Sequence, residues 1–228
     1  MRVLSVVHHR NAAAGVFAEV GAELVEWLPH EVPPPELNGF DAAMVFGADA
    51  QVDQEDAHPW LRPEKVLIRE LIDRNVPVLG VCFGSQLLAE AAGGEVRPSA
   101  RPEIGWYEVE LTTDGRADPL LGFLGERFES LQYHSYEWLL PPGAVALARS
   151  ALCLQAFRLH DRPVWGVQFH PEVTESDFGE WLDDFEGDAE PIRRETAAKI
   201  GAWNAIGREL SKRFLAEADL AQAAKPPA

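Results

Sequence analysis

The sequence predicts an α/β fold: a three-layer, open and mostly parallel sheet with helices on both faces and antiparallel additions. Three observations carry that prediction. Short apolar runs alternate with helix-periodic segments as far as Ala92. Those runs are apolar throughout, as strands covered on both faces are. The middle of the chain then switches to closely spaced strands joined by short turns. The 228 residues fit a single domain, 1–228, in which 190–224 forms a C-terminal helical segment.

Taken in order, Val3 to Val7 reads as a strand and Ala12 to Val20 as a short helix despite Gly15. Leu24 to Leu28 is a second strand, ended by Pro29 and the Pro33-Pro34-Pro35 turn region, and Phe40 to Phe46 is a third, closing on Gly47. Pro63 to Arg74 carries a broad apolar face, with Pro63 suited to a first helical turn. Val76 to Val81 is a short buried strand, and Ser85 to Ala92 a helix stopped by Gly93-Gly94. Tyr107–Leu111, Arg127–Leu131, Ala144–Arg149, Leu152–Leu159 and Val164–Phe169 follow as strands, with a Pro141-Pro142-Gly143 break. From Glu190 onward, Ile192, Ile200, Trp203, Ile206, Leu210, Phe214 and Leu215 recur mainly at helical spacing, and Lys225 to Ala228 is expected to fray.

Composition excludes several classes. A formal net charge of −17 repels phosphate backbones, so no nucleic-acid partner is expected. The first apolar run is too short for a signal sequence or a membrane span, so no membrane association and a cytoplasmic location are expected. The two cysteines, Cys82 and Cys153, form no Cys-x-x-Cys pair, which argues against a disulfide scaffold or a cysteine-based zinc site. No metal and no cofactor is expected.

Cys82 lies in Gly80-Val81-Cys82-Phe83-Gly84-Ser85-Gln86, between a strand and a helix. A sharp strand-to-helix turn lifts its central side chain out of the sheet, toward the free N–H groups of the helix, which favour a thiolate. Glycines on either side are expected to let the backbone turn. A nucleophile of this kind needs a base, and the base needs an orienting group. Val164-Trp165-Gly166-Val167-Gln168-Phe169-His170-Pro171-Glu172 supplies both. His170 ends a strand, and Glu172 can fold back toward it across the stiffening Pro171. Both motifs lie at C-terminal strand ends, the edge where open α/β sheets assemble sites.

Together these motifs resemble the class I glutamine amidotransferases, most of all the glutaminase domain of GMP synthase and its free-standing relatives. His134 in Tyr133-His134-Ser135-Tyr136, Leu140-Pro141-Pro142-Gly143-Ala144 and Gln155-Ala156-Phe157 extend the likeness. The resemblance implies a flavodoxin-like sheet and hydrolysis of the glutamine side-chain amide through a Cys82–His170–Glu172 triad and a thioester. It also implies an oxyanion hole from the N–H groups of Gly47 and Phe83, and glutamine contacts from Gln86, Ser135 and Tyr136. The ammonia would pass to a separate synthetase, such as a GMP synthase-like partner, because no ATP-binding glycine loop is present. Two departures stand out. The family's Gly-Gly-Pro is Phe46-Gly47-Ala48, which loses a stiffening proline, and its His-Gly-Asp is His134-Ser135-Tyr136.

The alternatives are a γ-glutamyl hydrolase using the same triad on γ-glutamyl amides or peptides, a non-catalytic regulatory module, and a general thiol peptidase. Simpler roles are expected elsewhere. His8-His9 reads as a polar loop, Glu175 and Asp177 as the acidic start of a helix, Cys153 as a core thiol and Trp203 as core packing.

Overall fold

The computed structural model describes residues 1–224, so the expected C-terminal fray lies outside the described residues. The strands are β1 (Arg2–Val6), β2 (Glu23–Trp27), β3 (Ala42–Val45), β4 (Val78–Val81), β5 (Val96–Leu111), β6 (Arg127–Trp138), β7 (Ala144–Arg149), β8 (Leu154–Leu159) and β9 (Val164–Val167). They form one sheet of nine strands among the described residues, in the order β2-β1-β3-β4-β9-β8-β7-β5-β6. The segment β2-β1-β3-β4-β9 is parallel and the rest antiparallel. The expected α/β sheet is therefore observed as a mixed one, with a parallel segment of five strands and antiparallel additions as extensive as that segment.

Period-two alternation buries both faces of the parallel part. Val3, Ala42, Met44 and Leu79 point into one core, while Leu4, Val6, Ala43, Val45 and Val78 point into the other. Helices α1 (Leu61–Asp73) and α2 (Phe83–Ala91) cover the second face with Leu67, Ile68, Leu71, Leu87 and Leu88. The first is covered by α4 (Glu175–Asp183), by the long α5 (Glu190–Ala223) and by two short 3₁₀ turns, Arg10–Ala12 and Gly15–Val20. The helix expected over Ala12–Val20 is thus broken into 3₁₀ pieces. Gly15 holds a φ of 46°, outside helical space, and Val16 N–H donates to the Glu172 carbonyl at 2.8 Å.

Thr174 caps α4 in a reciprocal box with Asp177, which accounts for the acidic run after Glu172. Helix α5 begins with Pro191 in its first turn and buries Thr196, Ile200, Trp203, Gly207, Leu210, Phe214 and Ala218 at spacings of three and four. The short helix α3 (Thr113–Ala117) and the full lengths of β5 and β6 exceed the sequence expectation. β5 contains Pro98, Pro102 and Gly105, which read as turn residues. A register irregularity between Pro98 and Glu103 accommodates the two prolines, while Gly105 stays in register opposite Gln132.

Candidate active site

Parallel pairing of β4 with β9 aligns Val81 with Val167, so the Cys82 and His170 segments leave the sheet at the same edge. Cys82 N–H donates to the Val167 carbonyl at 2.8 Å, stitching the two exits together. Cys82 itself holds φ 52° and ψ −110°, a backbone state that costs an L-residue about 1–3 kcal/mol. The strain sits on Cys82, not on the flanking glycines. Gly84 serves a different end: a Cβ there would lie 2.0 Å from the Val45 carbonyl oxygen, so only glycine lets α2 land against β3.

His170 is buried, and its Nδ1 lies 2.8 Å from Glu172 Oε1. Its ring packs edge-on against Trp181, with centroids 4.8 Å apart. Burial disfavours the imidazolium, but the Glu172 carboxylate and the adjoining Cys82 outweigh it, and together they raise the His170 pKa to about 10. The Cys82 sulfur also lies 3.6 Å from Gln168 Nε2 and 3.8 Å from the Tyr133 carbonyl. Gly47 closes the other side, where a Cβ would sit 3.4 Å from His170 Cε1.

Two cavities meet at Cys82. The larger, of about 480 Å³, is lined by Gly47, Cys82, His170 and Trp181, with Asp49, Glu180 and Asp184 around it. The smaller, of about 250 Å³, is lined by Cys82, Phe83, Gln86, His134 and Ser135. Gln86 is buried and reaches the Tyr136 carbonyl at 3.4 Å. Tyr136 therefore meets the site through its backbone, while its phenol lies beside Asp53.

Several supporting residues escape the sequence reading. Trp203, expected only to pack, donates its indole N–H to the His170 carbonyl at 2.7 Å. One turn of α5 further on, Gly207 has no room for a Cβ, which would lie 1.9 Å from the Pro171 oxygen. The helical spacing of the α5 stripe shows that these residues face inward, but nothing local says what they face. His8, expected in a polar loop, is buried behind Gly47, whereas His9 is exposed beside Asp49 at 3.1 Å.

Among the described residues, Glu103, His134 and Cys153 also converge, with donor atoms within 4.8 Å of one another. Glu103 Oε2, which lies 3.1 Å from His134 Nε2, also accepts from Gln155 Nε2 at 2.8 Å. No described helix is long and apolar enough to cross a membrane.

Comparison with known proteins identifies the family. The chain is 31% identical over 247 residues to the glutamine amidotransferase-like protein YfeJ of Salmonella typhimurium, spanning 99% of this chain and 100% of that protein. It is 37% identical over 154 residues to a component of the glutamine-hydrolysing GMP synthase of Ignicoccus hospitalis, spanning 66% of this chain and 77% of that one. A glutamine amidotransferase of Thermotoga maritima superposes with a TM-score of 0.83 at 24% identity, covering 94% of this chain and 98% of that chain, which shows the shared fold. Residues 11–186 match the family of class-I glutamine amidotransferases. The chain belongs to that family of glutamine-hydrolysing enzymes.

Proposed function

We propose that this enzyme hydrolyses the side-chain amide of glutamine through Cys82, His170 and Glu172. The observation that carries the proposal is the 2.8 Å contact that commits His170 Nδ1 to Glu172 and leaves the other ring nitrogen for the Cys82 side of the pocket. Glu172 fixes the tautomer and stabilises the imidazolium. The Cys82 thiolate attacks the amide carbon, and the C=O π electrons move onto oxygen. The N–H groups of Gly47 and Phe83 receive that oxyanion, each such donor contributing roughly 10²- to 10³-fold. His170 delivers a proton to the nitrogen, the C–N bond breaks, and ammonia leaves behind a thioester. Water then attacks the thioester, His170 takes its proton, and glutamate departs as the thiol reforms.

Gln86 and Ser135 line the smaller cavity and, with the Tyr136 backbone that Gln86 reaches, are assigned to the amino-acid end of glutamine. The likeness to the GMP synthase component of Ignicoccus hospitalis supports a separate ammonia-accepting synthetase as partner. Two cysteines kept as free thiols suit a cytoplasmic setting. The test is release of glutamate and ammonia from glutamine, with and without candidate synthetases. It is paired with labelling by a glutamine-like diazo-ketone, which Cys82→Ala must abolish. Wild-type protein that neither turns over glutamine nor labels beside any partner would sink the proposal.

A second reading is favoured by the larger cavity. Its volume of about 480 Å³ exceeds what ammonia needs, and Asp49, Glu180 and Asp184 line it. A γ-glutamyl amide of a larger amine would place its leaving group there and use the same three residues. Turnover of γ-glutamyl amides but not of glutamine would select this reading.

A further inference from the structure

His8 and Glu64 are both buried, at 2% and 0% exposure, and neither takes part in the chemistry above. His8 Nδ1 lies 3.0 Å from the Gly47 carbonyl oxygen, and its Nε2 lies 2.9 Å from Glu64 Oε1. A carbonyl oxygen only accepts, so Nδ1 carries a hydrogen and donates it to Gly47. The contact between Nε2 and the carboxylate then needs a second hydrogen between them. Both ring nitrogens are thereby committed, and the ring cannot rotate without breaking two buried polar contacts. The same ring meets Phe83 edge-on with centroids 5.1 Å apart, and Trp60 at 5.3 Å. His8 therefore touches both residues assigned to the oxyanion hole.

Gly47 needs such a hold. It has no side chain to anchor it, and Ala48 follows where the resembling family carries a stiffening proline. The peptide joining Gly47 to Ala48 is trans, so its C=O and N–H point in opposite directions. Holding the Gly47 carbonyl on His8 fixes one of the two peptide planes that meet at the Gly47 Cα and so limits how the other, which carries the Gly47 N–H, can turn.

We propose that His8, held by Glu64, is a positioning residue that locks the Gly47 backbone in the orientation required to stabilise the oxyanion. The inference rests on Gly47 being an oxyanion residue. Because a misplaced donor acts on the transition state more than on bound substrate, His8→Leu is expected to lower kcat roughly 10- to 100-fold with KM nearly unchanged. His8→Asn keeps an N–H near the Nδ1 position and is expected to restore most of kcat. Glu64→Gln should fall between the two.

Alkylation of Cys82 by iodoacetamide involves no oxyanion. Its rate, followed by mass spectrometry, should stay within about twofold of wild type in all three variants. Carbon-13 NMR of the Gly47 carbonyl provides a readout that needs no turnover: its shift should move in His8→Leu and return in His8→Asn.

An unchanged kcat in His8→Leu, His8→Asn as impaired as His8→Leu, alkylation falling in step with kcat, or an unmoved Gly47 carbonyl would each overturn the inference. Inactive wild-type protein would instead count against the proposed function, and the carbonyl shift would still decide whether His8 grips Gly47.

Discussion

Among the described residues the set cysteine, histidine and glutamate comes together twice, and the two copies are ordered differently. In Cys82, His170 and Glu172 the imidazole stands in the middle, with its Nδ1 on the carboxylate and a cavity open beside the sulfur. In Cys153, Glu103 and His134 the carboxylate stands in the middle. Glu103 Oε2 is 3.1 Å from His134 Nε2 and 3.6 Å from the Cys153 sulfur, while His134 Nδ1 is spent on the Tyr136 carbonyl at 3.0 Å. Burial and the facing Glu103 charge push the Cys153 thiol up to about 12, so it remains a thiol. Burial would raise the Glu103 pKa too, but hydrogen bonds from His134 and its neighbours overcome that and hold it below the ordinary range. The lesson is one of order: a carboxylate beside a thiol suppresses it, whereas a carboxylate behind an imidazole prepares that imidazole to serve a thiol.

Exchanging the two cysteines should produce the largest contrast. Cys82→Ser is expected to lower glutamine turnover at least ~10³-fold, as removal of a nucleophile does. Cys153→Ser should change kcat less than about twofold, because a buried thiol of that kind contributes packing and not reactivity. Comparable losses in a steady-state glutamate assay would erase the distinction.

The two glutamates sharpen it next. Glu172→Gln should cost roughly 10²- to 10⁴-fold in kcat, by analogy with triads whose orienting acid becomes an amide. Glu103→Gln should instead appear in denaturant unfolding, as a loss of about 1–3 kcal/mol from a disrupted buried network. The pH profile gives the sign. Glu172 raises the His170 pKa, so the alkaline fall of kcat/KM should lie well above 6.5, in the direction of about 10. Glu172→Gln must move that fall to lower pH. Stability follows the same linkage: the contribution of this pair is complete below about 6.5 and is lost as pH rises toward about 10.

Support from α5 separates the copies more gently. Trp203→Phe removes the indole donor from the His170 carbonyl and is expected to cost about 1–3 kcal/mol by leaving that buried oxygen unpaired. Two glycines on the same helix should respond with opposite signs. Gly207→Ala forces a Cβ toward the Pro171 oxygen and should destabilise the fold by about 1–3 kcal/mol. Gly201 faces open space, and Gly201→Ala should stabilise the helix by about 0.5–1 kcal/mol. Equal shifts in the two denaturation midpoints would contradict the clamp that α5 places on the His170–Pro171 turn.

Much of this is legible in one dimension because its signals are local. Alternating apolar runs and helical stripes place the parallel strands, α1, α2 and α5, and the motifs around Cys82 and His170 stand out by residue type and neighbours. Ala12–Val20 is less legible, since its backbone is set by the Val16 bond to the Glu172 carbonyl, far along the chain. The full lengths of β5 and β6 are hidden by prolines and glycine that read as turns but sit in an irregular antiparallel pair.

Sequence alone determines the parallel α/β architecture, the family likeness and the two motifs that bring Cys82, His170 and Glu172 into consideration. Residue type, periodicity and immediate spacing suffice for those, because each acts within a few positions. Only the tertiary structure decides which histidine faces the Cys82 pocket. His8, His134 and His170 all stand beside a buried glutamate, and what separates them is the group facing the other ring nitrogen. For His8 and His134 that group is a backbone carbonyl, which consumes the donor, and for His170 it is the pocket of Cys82. Contacts of that kind, 39 residues apart for His8 and Gly47, arise from packing and strand register and leave no local trace in the chain.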